Sequence, residues 1–180
     1  MQLTIQQHWL NAAERIESPN FNERPQQRID MLVVHSISLP PGEFGGPYIS
    51  ALFTNQLDPT QHTYFEQISD LQVSAHLLIR RDGHLIQYVP FDKRAWHAGL
   101  SSFCGEENCN DFAIGIELEG VDDQPYEQIQ YQRLAEISRL LMCHYEAITP
   151  ERVVGHSDIA PGRKTDPGEA FDWSYFRGLL

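Results

Sequence analysis

The stretch Asp111-Phe-Ala-Ile-Gly-Ile-Glu-Leu-Glu-Gly120 indicates the fold class. Its residues alternate between two kinds, as they do in a β-strand, where successive side chains point to opposite faces. One set is large and apolar: Phe112, Ile114, Ile116 and Leu118. The other set is small or acidic and includes Glu117, which indicates that something packs or binds closely on that face. A helix packed over the small residues is the alternative.

Two further apolar runs each end next to a histidine. Met31-Leu-Val-Val34 is rich in β-branched residues and predicts a buried strand whose last residue is His35. Arg152-Val-Val-Gly155 is a shorter run that is followed directly by His156. Both imidazoles are therefore expected at strand ends.

A hairpin is predicted in the middle of the chain. The strand-like runs 73–79 and 84–89 flank Arg80-Arg81-Asp82-Gly83. Asp-Gly between two such runs is a strong short-range hairpin signal.

Helical patterns lie around these strands. Apolar spacing predicts a short packing helix from Gln2 to Ile16 and a second helix, from Pro125 to about Tyr145, that covers the sheet. A last helix is predicted from Asp172 to Leu180, with Asp172 as its N-terminal cap. Residues 36–69 read as a long irregular segment with a possible short helix at 49–55, and the aromatic residues in it favour an ordered wall. The pattern predicts an α/β fold with a single central, mostly mixed sheet flanked by helices.

Length and composition describe a globular protein with one domain, expected to span residues 1–180. A chain of 180 residues is long enough for one well-buried core. The net charge of -12 and the pI near 4.9 argue against a nucleic-acid-binding protein and disfavour binding to anionic membrane surfaces. No run approaches the roughly 20 apolar residues that a membrane span needs.

The cysteines and the N-terminus favour a cytoplasmic protein. Cys104, Cys109 and Cys143 are an odd number without C-x-x-C spacing, so free thiols in a reducing compartment are expected. The first residues show neither the basic start nor the apolar run of a secretion signal.

The two strand-end histidines and a third residue form a candidate metal site. Asp166 follows His156 by ten residues in a loop rich in Pro and Gly. His35, His156 and Asp166 would supply the three ligands of a catalytic zinc site and leave one position for water. Alternatively, each histidine forms only a backbone hydrogen bond at the end of its strand.

Seven motifs between Ser18 and Phe176 together resemble the AmpD branch of the zinc-dependent N-acetylmuramoyl-L-alanine amidases, which have a fold like that of peptidoglycan recognition proteins. The motifs are Val33-Val-His-Ser-Ile-Ser-Leu-Pro-Pro-Gly-Glu-Phe-Gly-Gly46, Val73-Ser-Ala-His76, Arg80-Arg-Asp-Gly83, Arg94-Ala-Trp-His-Ala-Gly99, Cys109-Asn-Asp-Phe112, Gly115-Ile-Glu-Leu-Glu-Gly120 and Gly155-His-Ser-Asp-Ile-Ala-Pro-Gly-Arg-Lys-Thr-Asp-Pro-Gly168.

The resemblance implies a role for particular residues. It implies one Zn²⁺ held by His35, His156 and Asp166, with Glu117 and Lys164 as catalytic residues. It also implies substrate contacts at Ser36, Gln72, Ala95, Trp96, His97 and Asn108. Ser36 stands where the family often has Asn, and Gln72 where it often has Arg, so both positions bear on fine specificity.

Some of these histidines and aromatic residues have a structural alternative. Trp96 and His97 are expected either to line the sugar or peptide groove or to belong to the core. His76 lies among apolar residues and is expected to be a buried, hydrogen-bonded histidine.

The function implied by the resemblance is hydrolysis of the amide between the lactyl group of 1,6-anhydro-N-acetylmuramic acid and L-alanine of a short peptide. This reaction belongs to cytoplasmic peptidoglycan recycling and, through muropeptide levels, to β-lactamase regulation. A monomer acting on anhydromuropeptides is expected. The alternatives are a non-catalytic module of the same fold that binds wall fragments, and a structural protein in which four side chains fill the coordination of zinc.

Overall fold

The computed structural model describes residues 3–180, and Met1 and Gln2 lie outside the described part. The strands are β1 (Ile5–Gln6), β2 (Trp9–Leu10), β3 (Glu14–Arg15), β4 (Phe21–Asn22), β5 (Met31–Ile37), β6 (Leu77–Ile79), β7 (Leu85–Gln87), β8 (Arg94–Ala95), β9 (Ser102–Phe103), β10 (Glu106–Glu107), β11 (Ala113–Glu119) and β12 (Val153–Gly155). The α-helices are α1 (Tyr48–Phe53), α2 (Phe65–Ile68), α3 (Gln128–His144), α4 (His156–Ile159) and α5 (Trp173–Leu179), and short 3₁₀ turns lie at Pro59–Gln61, Cys109–Asp111 and Pro150–Arg152.

A six-stranded mixed sheet forms the centre of the fold, as the sequence predicted. Its strand order is β12-β5-β11-β6-β7-β3. The first four strands are parallel to one another, whereas β7 is antiparallel to β6 and β3 runs parallel to β7. The carboxyl ends of β12, β5 and β11 therefore meet at one edge.

One face of this sheet is covered by α3 and α5. The apolar side chains of β11 that alternate in the sequence pack here against the buried face of α3, which includes Leu134, Ile137 and Leu141. Phe176 of α5 is also fully buried in this cluster. The predicted cap is present, because Asp172 Oδ1 accepts a hydrogen bond of 2.8 Å from the Tyr175 N–H.

The opposite face is covered by the segment 38–69, which is ordered by its own core. Ile49, Phe53 and Phe65 are buried against Leu78 and Ile86 of the sheet. This confirms the expected aromatic wall.

The end of β11 also holds two neighbouring turns through one carboxylate. Glu119 is buried, and its two oxygens accept hydrogen bonds from the backbone N–H groups of Gly45 (2.7 Å) and Arg81 (3.2 Å). Arg81 belongs to the predicted hairpin turn, which the structure confirms between β6 and β7. Gly83 adopts φ +81° in this turn, a conformation that favours glycine.

The predicted helix from Gln2 to Ile16 is wrong. Residues 3–16 instead form β1, β2 and β3, and Gln2 itself lies outside the described residues. Gln7 and His8 have positive φ values of 49° and 66°, which turn the chain so that Ile5 pairs with Leu10 across a small antiparallel ribbon. The apolar spacing that resembled a helix face arises from side chains on two strands.

Several element boundaries also differ from the prediction. His35 is not the last residue of its strand, because β5 continues to Ile37. Helix α3 begins at Gln128 rather than Pro125, and His156 opens the short helix α4 inside a region expected to be loop from 158 onward. None of the helices between residues 3 and 180 combines the length and hydropathy that a membrane span requires.

His76 is the buried, hydrogen-bonded histidine that the sequence predicted. Its Nδ1 accepts a hydrogen bond of 3.0 Å from the Gly115 N–H, so its Nε2–H donates to the Lys93 carbonyl, also at 3.0 Å. Burial, together with repulsion from the Arg24 guanidinium, lowers the pKa of His76 from 6.5 to about 3. The folded protein therefore holds this ring neutral.

We expect His76 to make the free energy of unfolding depend on pH. Between pH 6.5 and 3 the unfolded chain binds a proton at this position that the folded chain does not. The contribution of His76 to the free energy of unfolding is therefore fully present above pH 6.5 and is lost as the pH falls through this range. Relative to His76→Gln, the wild-type protein should lose about 1.4 kcal/mol per pH unit in this window. Urea unfolding of both proteins at pH 7, 6 and 5 measures this. A difference between them that does not change with pH would contradict it.

Candidate functional site

Strand register brings three of the predicted functional residues together. In the parallel pair of β5 and β11, His35 lies opposite Glu117. In the pair of β5 and β12, Val34 lies opposite Gly155. The next residue on each side is a histidine, so His156 lies beside His35. The three side chains thus meet at the carboxyl ends of adjacent parallel strands, where open α/β sheets bind ligands.

Asp166 completes a metal-ligating cluster with the two histidines. The cluster of His35, His156 and Asp166 places one ligand atom from each residue within 4.8 Å of the others. The Asp166 carbonyl oxygen accepts a hydrogen bond of 3.0 Å from the Ser157 N–H, which holds the loop against the start of α4. The sequence prediction that these residues converge is therefore confirmed.

The three ligand atoms have the spacing that a small tetrahedral ion requires. The Nδ1 atoms of His35 and His156 are 2.9 Å apart, and Asp166 Oδ2 lies 3.2 Å and 3.1 Å from them. Bonds of about 2.0–2.1 Å to a tetrahedral ion separate its ligands by about 3.3 Å. A carboxylate oxygen and two imidazole nitrogens that converge in this way are also the donor atoms that such an ion prefers. The residues fit a metal.

The protonation states suit metal binding. Burial lowers the pKa of His35 to about 4, so this imidazole is neutral at physiological pH and has a lone pair to offer. A metal requires its ligands in their deprotonated forms, and the carboxylate of Asp166 with the neutral imidazole of His35 would offer one negative charge to a cation.

Glu117 lies beside this cluster in an apolar environment. It is 8% exposed, and within residues 3–180 its buried Oε2 has no hydrogen-bond partner. Burial raises the pKa of Glu117 well above its usual value, with a further contribution from the negative charge of Asp166, whereas Lys164 lowers it. A carboxyl with a raised pKa and a free oxygen is suited to exchanging protons.

A cavity of about 560 Å³ opens over the cluster and Glu117. The side chain of Lys164, on the loop between α4 and Asp166, lies at its rim. One wall is apolar and comes from the 38–73 region, with Leu52, Tyr64, Ile68 and Leu71. Space of this size accommodates a small-molecule ligand with polar chemistry at one end.

The residues predicted to contact substrate divide into two groups. Ser36, Trp96 and His97 line the cavity. Gln72, Ala95 and Asn108 lie outside its lining: Gln72 is exposed between two lining residues, Ala95 is fully buried in β8, and Asn108 lines a separate depression with Arg163. Contacts of all six with substrate stay predictions.

Sequence reasoning missed two residues that support the site. Asn110 Oδ1 accepts hydrogen bonds from the backbone N–H groups of His97 (3.1 Å) and Ala98 (2.8 Å), which fixes the segment below the metal cluster. Gly115 provides room for the His97 ring, because a Cβ at this position would lie 2.4 Å from His97 Cγ. The small residues on one face of β11 had indicated that something packs closely there. The packing group at Gly115 is the ring of His97, not the helix considered as an alternative.

The comparisons agree with the sequence motifs. A family model described as N-acetylmuramoyl-L-alanine amidase matches residues 25–169. The chain is 57% identical over 179 residues to the 1,6-anhydro-N-acetylmuramyl-L-alanine amidase AmpD of Escherichia coli (strain K12), which covers 99% of this chain and 97% of that protein.

Solved structures are similar over the same length. A crystal structure of a selenomethionine AmpD derivative superposes with a TM-score of 0.96 at 57% identity, covering 98% of this chain and 99% of that one. The amidase AmiD from Escherichia coli, solved with anhydro-N-acetylmuramic acid-L-Ala-D-γ-Glu-L-Lys, superposes with a TM-score of 0.62 at 28% identity, covering 98% of this chain and 65% of that one.

We expect Asn110 to stabilise the segment that carries His97. Asn110→Ala removes the acceptor for two backbone N–H groups and should lower the free energy of unfolding by about 1–3 kcal/mol. Asn110→Asp, the matched control, keeps an oxygen at this position and should lose less. Urea denaturation of the three proteins measures the difference, and equal stability of the alanine variant and the wild-type protein would contradict this role.

Proposed function

Because the chain belongs to the N-acetylmuramoyl-L-alanine amidase family, we propose that it hydrolyses the amide between the lactyl group of 1,6-anhydro-N-acetylmuramic acid and L-alanine of the stem peptide. A relative that is 57% identical over almost its whole length is named as a 1,6-anhydro-N-acetylmuramyl-L-alanine amidase. The observation that carries the proposal is the convergence of His35, His156 and Asp166 beside Glu117 at the floor of a cavity. The reaction serves muropeptide recycling.

The metal in this proposal is one zinc ion. Two imidazole nitrogens and a carboxylate oxygen are the donors of many catalytic zinc sites, which keep a fourth position open. Among residues 3–180 the cluster offers three ligands, and the cavity lies over it. This arrangement supports a catalytic site over a structural one with four protein ligands. When bound, zinc polarises a carbonyl and lowers the pKa of a coordinated water towards about 7.

Glu117 is the proposed general base and acid. It lies opposite His35 in the sheet register, and its free Oε2 can accept a proton from the attacking water when the carboxyl is ionised, the form that a cation bound beside it would favour. Its raised pKa then lets it hold that proton and donate it to the nitrogen of L-alanine as the amide bond breaks. Proton transfer of this kind contributes about 10²–10⁴-fold to rate.

Lys164 is proposed to stabilise the negative charge that develops on the carbonyl oxygen. Its side chain lies at the rim of the cavity, and its positive charge is close enough to oppose the rise that burial causes in the pKa of Glu117. A fixed cation near the reacting carbonyl lowers the energy of the transition state relative to the ground state.

The cavity walls provide the proposed binding surface for the anhydromuropeptide. Trp96 lies in the lining, and its indole N–H donates a hydrogen bond of 3.1 Å to Asn22 Oδ1, which fixes the orientation of the ring. An aromatic face of this kind suits a sugar ring, while Ser36 offers a hydroxyl near His35. Gln72, Ala95 and Asn108 are not part of this surface, because they lie outside the cavity lining.

We further propose that residues 1–180 form a single amidase domain that acts as a monomer in the cytoplasm. The three cysteines are free in the structure, with Cys109 buried. Free thiols are usual in reducing compartments. A binding module that recognises wall fragments without cutting them is the second reading, and the complete set of ligands and Glu117 argues against it.

Mass spectrometry of the purified protein with anhydromuramyl-tripeptide tests the proposal. We expect release of the free tripeptide that begins with L-alanine, loss of this product after chelation, and its return when zinc is added. Intact substrate in every sample, from a protein that binds zinc, would favour the binding module.

Glu117→Gln tests the proposed proton transfer separately from the metal. The amide keeps the shape of the side chain but cannot take up the proton, so turnover should fall by about 10²–10⁴-fold. Zinc content should stay at one ion per chain, because Glu117 is outside the ligand cluster. Steady-state kinetics and elemental analysis measure the two quantities. Wild-type turnover in this variant would remove Glu117 from the mechanism.

A further inference from the structure

The two metal-binding histidines each point their second ring nitrogen at a different kind of partner. His156 Nε2 lies 3.0 Å from the Ala98 carbonyl oxygen. A carbonyl only accepts, so His156 Nε2 carries the proton and its Nδ1 is left with a lone pair for a metal. His35 Nε2 instead lies 2.9 Å from Nδ1 of another imidazole, His97.

An imidazole partner does not by itself decide which nitrogen carries the proton. A neutral histidine has one donor and one acceptor nitrogen, so His97 Nδ1 could take either role toward His35. Only the arrangement in which His97 Nδ1 accepts leaves His35 Nδ1 unprotonated. That nitrogen is the one that lies 3.2 Å from Asp166 Oδ2 in the ligand cluster.

We infer that His97 is a positioning residue for the metal site: its Nδ1 accepts a hydrogen bond from His35 Nε2–H and thereby holds His35 in the tautomer whose Nδ1 binds the metal. Partners of this kind orient most metal-binding histidines, and their loss typically costs 10–100-fold in metal affinity. Here the partner is a second imidazole in place of the usual carboxylate or carbonyl. The inference rests on the proposed metal site and does not depend on the amidase reaction.

The surroundings of His97 hold its ring in the position that this role requires. The backbone N–H groups of His97 and Ala98 donate to Asn110 Oδ1, and the Trp96 N–H donates to Ser74 Oγ at 3.1 Å. The ring itself lies against Gly115, where a Cβ would come within 2.4–2.7 Å of three ring atoms. A larger residue at 115 would displace the ring from His35.

The nitrogens of His97 are not available to substrate or metal. Nδ1 faces His35 Nε2, away from the ligand atoms of the cluster, and Nε2 is buried without a partner among residues 3–180. The ring lines the cavity, but its polar atoms do not offer a substrate hydrogen bond. This role therefore differs from the substrate contact that the sequence resemblance implied.

Paired variants separate the hydrogen bond from the packing. His97→Asn keeps an acceptor, since Oδ1 is as many bonds from the backbone as Nδ1, whereas His97→Leu keeps bulk without an acceptor. Zinc affinity is measured by competition with a chromophoric chelator at fixed pH. We expect affinity to fall about 10–100-fold in His97→Leu and to recover largely in His97→Asn. Gly115→Ala should weaken zinc binding in the same direction because it displaces the ring.

Nitrogen NMR of the wild-type protein tests the same bond without a substitution. In zinc-loaded protein with ¹⁵N-labelled histidine, we expect a coupling across the hydrogen bond between His35 Nε2 and His97 Nδ1. The zinc-free proteins are then compared. His35 should populate both tautomers in His97→Leu but only the Nε2–H form in the wild-type protein.

The outcomes distinguish this inference from the proposed function. A wild-type protein that binds no zinc would overturn the metal site and, with it, the role of His97. Zinc binding by the wild-type protein with equal affinity in His97→Leu, or a wild-type spectrum that lacks the coupling, would overturn the role of His97 alone. Loss of affinity in His97→Leu with recovery in His97→Asn would establish it.

Discussion

The parallel pairing of β5 with β11 and β12 is the constraint on which the site depends. Opposite residues in a parallel ladder present their side chains on the same face, so the register that pairs His35 with Glu117 also places them side by side. A shift of one residue would turn Glu117 to the α3 side of the sheet. The alternating apolar residues of β11 prevent such a shift, because Ile114, Ile116 and Leu118 would leave the core.

Burial then determines the chemistry of these side chains. The same low-polarity surroundings favour the neutral form of His35 and of Glu117, which suits the imidazole to binding a metal and the carboxyl to holding a proton. The proposed mechanism needs Glu117 in its ionised form when it accepts the proton of the attacking water, and a cation held by the neighbouring ligand cluster would favour that form.

The sequence predicted the elements of the site better than their surroundings. Alternation in 111–120, the Asp-Gly turn and the histidines beside apolar runs each correspond to observed structure, because each signal is local. The N-terminal helix was predicted wrongly since the apolar residues of β1 and β2 repeat at a spacing that a helix shares. The role of Asn110 had no local signal, because its hydrogen bonds reach residues 12 and 13 positions earlier.

The sequence by itself identified the side chains that are proposed to carry the chemistry, and it predicted that the two histidines lie near the ends of strands. The family followed from motifs spread over most of the chain, and the matching family model covers residues 25–169. Only the tertiary structure decided which ring nitrogen of each histidine faces the ligand cluster, that Glu117 is desolvated, and that His97 packs on Gly115 beside His35. These properties depend on distances between residues that are far apart in the chain. The packing of the strands sets those distances, and they cannot be read from the order of the residues.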